Sequence, residues 1–254
     1  MYENKTNLEI KYKDFLDNNN SETIVILHGW GGSSDSWIEV GELLKNSGFN
    51  VIIPDLPGFG ETKLNYVFDI EEYSKVVINF LRELKINNFI LWGHSNGGAI
   101  SIKIANSHIF NIKKLILNNS AGIRNDKQRN TKKIFFSIII KPFKIFGKIG
   151  FLKGFRSIFY KIIGGYDYIR SEETPFLKET YLNIINADLK EDIKKIDIDT
   201  LLIRGEKDTY TPIRDAYFMR ENIKKSKLII LDNETHGIHI KNPIRLVDTF
   251  LKNI

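Results

Sequence analysis

Apolar and polar positions divide most of the chain into two alternating kinds of segment. Short, mostly apolar runs, typical of strands buried in a parallel sheet, fall at 23–27, 49–53, 89–92, 114–118, 200–204 and 227–231. Segments with apolar residues three and four positions apart, typical of amphipathic helices, fall at 36–46, 70–84, 99–105, 212–223 and from 243 onward. Residues 8–13 alternate weakly and favour an edge strand. The alternation predicts an α/β fold with a doubly wound, mostly parallel sheet.

The alternation stops between residues 122 and 196. Helical, phenylalanine-rich and basic stretches replace the strand pattern there, and glycines interrupt them. This predicts a helical lid, residues 122–196, inserted into a core formed by 1–121 and 197–254.

Composition narrows the class of protein. A chain of 254 residues with 42% hydrophobic and 27% charged residues can form one substantial globular core. It contains no cysteine, which excludes disulfides and thiolate metal sites. Neither a signal-peptide pattern nor an apolar run of membrane-spanning length is visible, so we expect a cytoplasmic protein.

Positive charge is concentrated in the predicted lid. Residues 122–165 contain eleven Lys or Arg against one Asp, a net charge of +10 within a chain of +6. Such a field attracts anionic partners, here an anionic carrier protein or a membrane surface. The simplest explanation of the charge is a solvated helical face in a lysine-rich chain. No nucleic-acid recognition motif accompanies it, so nucleic acid is not an expected partner.

One serine lies in an unusually glycine-rich turn. Gly93-His94-Ser95-Asn96-Gly97 joins the predicted strand at 89–92 to the helix that follows. A strand-to-helix turn this tight forces its central residue into a strained backbone conformation and leaves the hydroxyl exposed above the sheet. Ser95 is therefore a candidate nucleophile.

Two other predicted strand ends carry complementary chemistry. Asp208 follows the strand at 200–204, and His236 follows the strand at 227–231. Because sites gather at the carboxyl ends of parallel strands, the hydroxyl, carboxylate and imidazole are expected at one edge. An alcohol becomes a nucleophile when a histidine takes its proton and a carboxylate orients that histidine. Glu234, in the same loop as His236, is expected to be exposed.

The chain resembles the α/β-hydrolase superfamily over nearly its whole length. The resemblance rests on four stretches in the family's order, which are His28-Gly29-Trp30-Gly31-Gly32, Asp55-Leu56-Pro57-Gly58-Phe59-Gly60, Gly93 to Gly98, and Gly205-Glu206-Lys207-Asp208 with His236-Gly237-Ile238-His239. It implies that Ser95 is the nucleophile, His236 the base and Asp208 the orienting acid. It also implies an oxyanion hole made by the backbone N–H groups of Trp30 and Asn96.

Alternatives to single residues remain open at this point. Asp126 is the alternative acid and His239 the alternative base, while His28 and His94 are interpreted as structural turn residues. The resemblance implies no metal and no organic cofactor. Phe143, Phe146 and His239 are predicted to line a substrate pocket.

The implied activity is hydrolysis of a carboxylic ester with an apolar acyl group through an acyl-serine intermediate, as in carboxylesterases and lipases. Carboxylesterases acting on methyl esters of acyl-carrier protein are one candidate class, because they share the His-Gly-Trp-Gly motif and a basic lid. C–C hydrolases of the meta-cleavage type share the fold and the triad. A non-catalytic ligand-binding member of the fold is the alternative outside enzymes.

Overall fold

A computed structural model describes residues 8–20, 22–124 and 175–254. Its strands are β1 (Tyr12–Phe15), β2 (Glu22–Leu27), β3 (Phe49–Pro54), β4 (Asn88–His94), β5 (Asn111–Asn118), β6 (Thr200–Gly205) and β7 (Ser226–Leu231). They form one sheet in the order β1-β3-β2-β4-β5-β6-β7. Every neighbouring pair is parallel except β1 and β3, which are antiparallel. The predicted doubly wound, mostly parallel sheet is confirmed.

Helices lie between the parallel strands and after the last of them. They are α1 (Ile38–Asn46), α2 (Ile70–Glu83), α3 (Asn96–Asn106), α4 (Pro175–Asn186), α5 (Lys190–Lys194), α6 (Ile213–Asn222), α7 (Ile238–Lys241) and α8 (Pro243–Leu251). Predicted and observed bounds agree within a few residues, but β1 begins four residues later than the alternation at 8–13 indicates. Tyr12 to Phe15 pair with Pro54 to Val51, so contact with β3 decides where this edge strand lies.

The sheet separates two apolar layers because successive strand residues face opposite sides. Leu91 of β4 packs on the side covered by α2, α3, α5 and α6, and its neighbour Trp92 packs on the side of α1, α7 and α8. Both side chains are fully buried. The central strands are thus covered on both faces, as their continuous apolar sequences require.

Helix α2 shows how the sequence defines a boundary. The Asp69 side chain accepts a hydrogen bond from the Glu72 N–H at 2.8 Å, and the Glu72 carboxylate accepts one from the Asp69 N–H at 2.9 Å. This reciprocal capping box satisfies two N–H groups that a helix start leaves unpaired. It fixes the helix start where the apolar periodicity begins.

Only part of the predicted lid lies within the described residues. Helix α4 contacts the core through Thr180, whose hydroxyl accepts a hydrogen bond from the Phe68 N–H at 2.9 Å. Helix α5 packs into the layer of α2 and α3, with Ile193 fully buried. The lid boundaries stay a prediction, and most of the basic segment lies outside the described residues. Over the ranges that are described, no helix has the length and apolar character needed to cross a bilayer.

Candidate active site

Ser95 occupies the turn between β4 and α3 in a backbone conformation rare for a residue with a side chain. Its φ is 52° and its ψ is −117°. The Ser95 N–H donates to the Asn118 carbonyl at 3.2 Å, and the Ser95 carbonyl accepts from the Ala121 N–H at 2.9 Å. These bonds to the segment after β5 hold a conformation that costs roughly 1–3 kcal/mol when unsupported. The strained turn predicted for Ser95 is present.

Glycine at 97 is required by close approach of another strand. A Cβ placed on Gly97 would overlap the carbonyl oxygen of Leu27 and lie 2.6 Å from that of His28. The start of α3 can therefore approach the end of β2 only without a side chain at position 97. The same packing brings the loop after β2 against the nucleophile candidate, because a Cβ on Gly29 would lie 3.0 Å from the Ser95 Cβ.

Asp208 and His236 meet across the ends of β6 and β7. The His236 Nδ1 lies 2.8 Å from the Asp208 Oδ2. A carboxylate can only accept, so Nδ1 carries the proton and Nε2 of the neutral ring is left as a proton acceptor. The Asp208 side chain is fully buried, whereas the His236 side chain retains 19% of its exposure. The ring is therefore oriented by a buried group while remaining accessible from solvent.

Several donors surround the Asp208 carboxylate. Oδ1 accepts from the backbone N–H groups of Tyr210 at 2.8 Å and Thr211 at 3.2 Å. Oδ2 accepts from the Thr211 hydroxyl at 2.8 Å in addition to His236. Burial alone would raise the pKa of Asp208. The hydrogen bond from His236, together with the positive charges of His236 and Arg204, outweighs burial and lowers that pKa below its ordinary value.

Asn119 joins the loops that carry Asp208 and His236. This residue is fully buried directly after β5, with a positive φ of 45°. Its Oδ1 accepts from the Gly205 N–H at 2.9 Å, at the start of the Asp208 loop. Its Nδ2 donates to the carbonyls of His236 at 3.0 Å and Thr235 at 3.2 Å. One amide therefore fixes the spacing of two loops that are distant in sequence.

The backbone N–H groups of Trp30 and Asn96 are the two predicted oxyanion donors. The Trp30 N–H follows Gly29, and the Asn96 N–H belongs to the first residue of α3. Within residues 8–20, 22–124 and 175–254, neither N–H donates to a protein acceptor. Both donors remain available for a ligand, and their role stays a prediction.

The Ser95 hydroxyl forms no hydrogen bond to any residue of the described ranges. The ring of its chain neighbour His94 contacts the His236 ring in a tilted arrangement with centroids 4.7 Å apart, so Ser95 and His236 lie near the same rim of the sheet. Hydrogen bonds between catalytic groups are often long before substrate binds.

The other histidines of this region are neutral and buried. His28 Nδ1 donates to the Gly29 carbonyl at 2.8 Å, and its Nε2 accepts from the Leu56 N–H at 2.9 Å. Burial lowers the pKa of His28 to about 4. Burial and the neighbouring imidazoles His239 and His236 lower the pKa of His94 well below its ordinary value, and His94 Nδ1 lies 3.1 Å from the Asn118 carbonyl. The structural interpretation of both histidines agrees with these contacts.

His239 does not reach the carboxylate. Its ring stacks on Trp37 at 4.5 Å and contacts His94, and its Nδ1 has no hydrogen-bond partner in the described part of the chain. Burial, and to a smaller extent the neighbouring His236, lowers the pKa of His239 to about 3. The structure brings His236 to Asp208 instead. A pocket role for His239 stays a prediction, and the other two pocket candidates, Phe143 and Phe146, lie outside the described residues with Asp126.

Sequence reasoning missed three residues of this network, namely Arg204, Asn119 and Thr211. It was also wrong about Glu234, which is 8% exposed and is held by the Arg245 guanidinium and the Asn242 amide, each at 3.0 Å. Asn119 carries the one available signal, because it is a polar residue directly after an apolar strand, the position that also marks Ser95.

Two family models match the chain. One described as alpha/beta hydrolase fold matches residues 22–137, and one described as TAP-like protein matches residues 185–253. The chain belongs to the α/β-hydrolase superfamily.

Relatives of this α/β-hydrolase include enzymes named for ester substrates. Lipase 3 of Moraxella sp. (strain TA144) is 27% identical over 239 residues, covering 87% of this chain and 73% of that protein. The pimeloyl-[acyl-carrier protein] methyl ester esterase of Wigglesworthia glossinidia brevipalpis is 26% identical over 260 residues, covering 91% and 94%. A solved esterase structure from Exiguobacterium antarcticum superposes with a TM-score of 0.75 at 22% identity, covering 96% and 95%. The structural likeness concerns the fold alone.

Proposed function

We propose that this α/β-hydrolase is a serine esterase with Ser95 as nucleophile, His236 as general base and Asp208 as the orienting acid. The observation that carries the proposal is the 2.8 Å contact between His236 Nδ1 and the buried Asp208 carboxylate, at the rim where the strained Ser95 turn also lies. The names of the lipase and esterase relatives support hydrolysis of esters.

The proposed reaction proceeds in two halves. Ser95 Oγ attacks the ester carbonyl carbon while its proton passes to His236 Nε2, and the C=O bond becomes an oxyanion. The N–H groups of Trp30 and Asn96 bind that oxyanion, and loss of one such donor typically costs about 10²–10³-fold in rate. His236 then protonates the departing alkoxide as the C–O bond breaks, which leaves an acyl-serine.

Water completes the second half. It attacks the acyl-serine carbonyl as its proton passes to His236. Collapse of the second oxyanion releases the carboxylic acid and returns the proton to Ser95. Asp208 stabilises the imidazolium in each half while remaining ionised.

The proposed substrate is an ester with an apolar acyl group. A carrier-protein ester is a second candidate, favoured by the +10 charge of residues 122–165 and by the relative that acts on a carrier-protein methyl ester. If the basic segment docks an anionic carrier, raised salt should increase KM for a carrier-protein ester and leave KM for a small neutral ester unchanged, because exposed charges are screened.

A pair of serine variants tests the mechanism. Ser95→Ala should lose labelling by a fluorophosphonate and reduce hydrolysis of p-nitrophenyl esters by about 10⁴-fold or more. Ser107→Ala removes a half-buried hydroxyl that donates to the Ile104 carbonyl at the other end of α3, and should keep both activities. Undiminished labelling of Ser95→Ala would contradict the assignment. Failure of the wild-type protein to cleave any ester chain length, with turnover of a meta-cleavage product, would favour a C–C hydrolase.

A further inference from the structure

A buried arginine lies behind the Asp208 carboxylate. Arg204 is the fifth residue of β6 and is 2% exposed. Its Nη1 donates to the Thr211 hydroxyl oxygen at 2.5 Å and lies 3.6 Å from the Asp208 Oδ2. A guanidinium is rarely buried to this extent unless its charge is matched nearby, since burial without a partner is costly.

The Thr211 hydroxyl links Arg204 to Asp208 by two hydrogen bonds whose donors and acceptors can be assigned. It lies 2.8 Å from the Asp208 Oδ2 and 3.2 Å from the Asn119 carbonyl, and it has one proton to donate. Arg204 can only donate, so Thr211 accepts from the guanidinium and its proton turns to the nearer and charged acceptor, the carboxylate. The resulting chain of donors runs from Arg204 through Thr211 to Asp208 Oδ2, the same oxygen that accepts from His236.

Little else in the described chain balances the Arg204 charge. Its Nε and Nη2 have no hydrogen-bond partner among the described residues, and the arginine lines a small cavity of about 10 Å³ beside Ser120, roughly the space of one water. Asp208 and Asp215 are the acidic groups that act on it. Protonation of Asp208 would therefore leave the guanidinium poorly compensated, so each charge favours the other.

We propose that Arg204 and Thr211 are positioning residues that hold Asp208 ionised with its Oδ2 directed at His236. The inference rests on the proposed function for its effect on turnover, but its electrostatic effect on the His236 ring can be measured without turnover. Other titratable groups face the same cluster from neighbouring elements, and their contributions should be unchanged by the test. They are His94 of β4, Tyr210 of the acid loop, Asp215 of α6 with Arg214 beside it, and His239 of α7.

Thr211→Val is the primary variant, because it keeps the branched shape and removes the hydroxyl. The carboxylate then loses a donor and interacts more strongly with the charged imidazole, so the pH dependence of the His236 signals should move to higher pH than in the wild type. The titration is followed by ¹H–¹⁵N correlation spectra of the full chain, with the His236 signals assigned by their loss in His236→Gln. In kinetic terms, the acidic limb of the kcat/KM profile for a p-nitrophenyl ester should move in the same direction.

Three further variants separate positioning from structure. Thr211→Ser restores the hydroxyl, so its titration should differ from that of the wild type by no more than about half of the shift seen in Thr211→Val. Arg204→Gln removes the charge but keeps donors, and should also move the titration upward. Thr200→Val is the matched control, because Thr200 is buried at the other end of β6 and its hydroxyl bonds only the Ile198 carbonyl. This variant should lower the free energy of unfolding without shifting the His236 titration.

The outcomes distinguish the two proposals. An unmoved His236 titration in folded Thr211→Val or Arg204→Gln overturns the positioning role of Arg204 and Thr211. A shift in Thr211→Ser or Thr200→Val equal to that in Thr211→Val overturns it as well. A shifted His236 titration in a protein that hydrolyses no ester supports the positioning role of Arg204 and Thr211 and overturns the proposed esterase activity. Ester hydrolysis with an unshifted titration supports the esterase activity and overturns the positioning role.

Discussion

Replacing Asn119 with alanine removes the side chain that connects the Asp208 and His236 loops. The change deletes three hydrogen bonds, at 2.9, 3.0 and 3.2 Å. The Gly205 N–H is buried and loses its only acceptor, which costs about 1–3 kcal/mol. The carbonyls of Thr235 and His236 belong to half-buried residues and can recruit water, so their loss adds about 1 kcal/mol more. We expect the free energy of unfolding to fall by about 3 kcal/mol, or 6–12 °C in Tm for a chain of this size.

The backbone of Asn119 allows a sharper test. Its φ of 45° lies in the region that favours glycine and tolerates asparagine. Asn119→Gly loses the same hydrogen bonds as Asn119→Ala but relieves the strain, so it should be more stable than the alanine variant by about 1 kcal/mol. At an ordinary helical or strand position the order would be reversed. Asn106→Ala is the control, because it removes a single hydrogen bond, to the Asp192 carbonyl at 2.8 Å. It should cost about 1 kcal/mol.

Urea unfolding followed by circular dichroism measures all three variants. If the proposed mechanism holds, Asn119→Ala should also lower kcat for a p-nitrophenyl ester, since Asp208 and His236 lose their fixed spacing. Two results would refute this reasoning. One is an Asn119→Ala variant no less stable than Asn106→Ala, and the other is an Asn119→Gly variant less stable than Asn119→Ala.

Two further predictions concern the glycine contact and the buried histidines. Gly97→Ala should lower the free energy of unfolding by more than about 3 kcal/mol or prevent folding, because its Cβ meets the Leu27 and His28 backbone. Gly237→Ala places its Cβ in open space and should change the free energy of unfolding by no more than about 0.5 kcal/mol. Soluble yield and thermal melts compare the two variants, and equal stability would contradict the contact at Gly97. His28 has a pKa of about 4 when folded and near 6.5 when unfolded, so the unfolded chain takes up the proton first as pH falls. Its stabilisation is complete above about pH 6.5 and declines toward pH 4, which lowers the free energy of unfolding by about 2 kcal/mol between pH 7 and 5. Urea unfolding at pH 7 and pH 5 should show a smaller decline in the free energy of unfolding for His28→Gln than for the wild type. An equal decline would exclude His28 as the cause.

The fold was predictable because local pattern and tertiary environment agree. Continuous apolar runs such as the one ending at Leu27 become strands covered on both faces, and the periodicity that starts after Asp69 becomes a capped amphipathic helix. The start of the edge strand was misplaced by four residues because its position depends on pairing with β3 rather than on its own weak alternation.

The candidate site was predictable only where chemistry is tied to a local motif. The turn around Ser95 is recognisable from its glycines. His236 and Asp208 are recognisable because each follows a predicted strand. Asn119 and Thr211 act through contacts with residues far away in the chain or through the direction of a hydroxyl proton, and neither property leaves a local pattern. Glu234 was misjudged for the same reason, since its partner Arg245 lies on α8, eleven residues further along the chain.

The order of strands in the sheet also has a consequence for synthesis. β5 pairs with β4 on one side and with β6 on the other, and residues 119–199 separate β5 from β6 in the chain. A nascent chain emerging from the ribosome can therefore complete β1 to β5 while 81 residues remain to be translated before the next strand. Through that interval the β5 edge presents unpaired backbone groups next to the apolar Leu115, Ile116 and Leu117, the kind of edge that recruits wrong partners. Pairing of β6 closes this edge and, in the same event, delivers Arg204 and Asp208 beside Asn119.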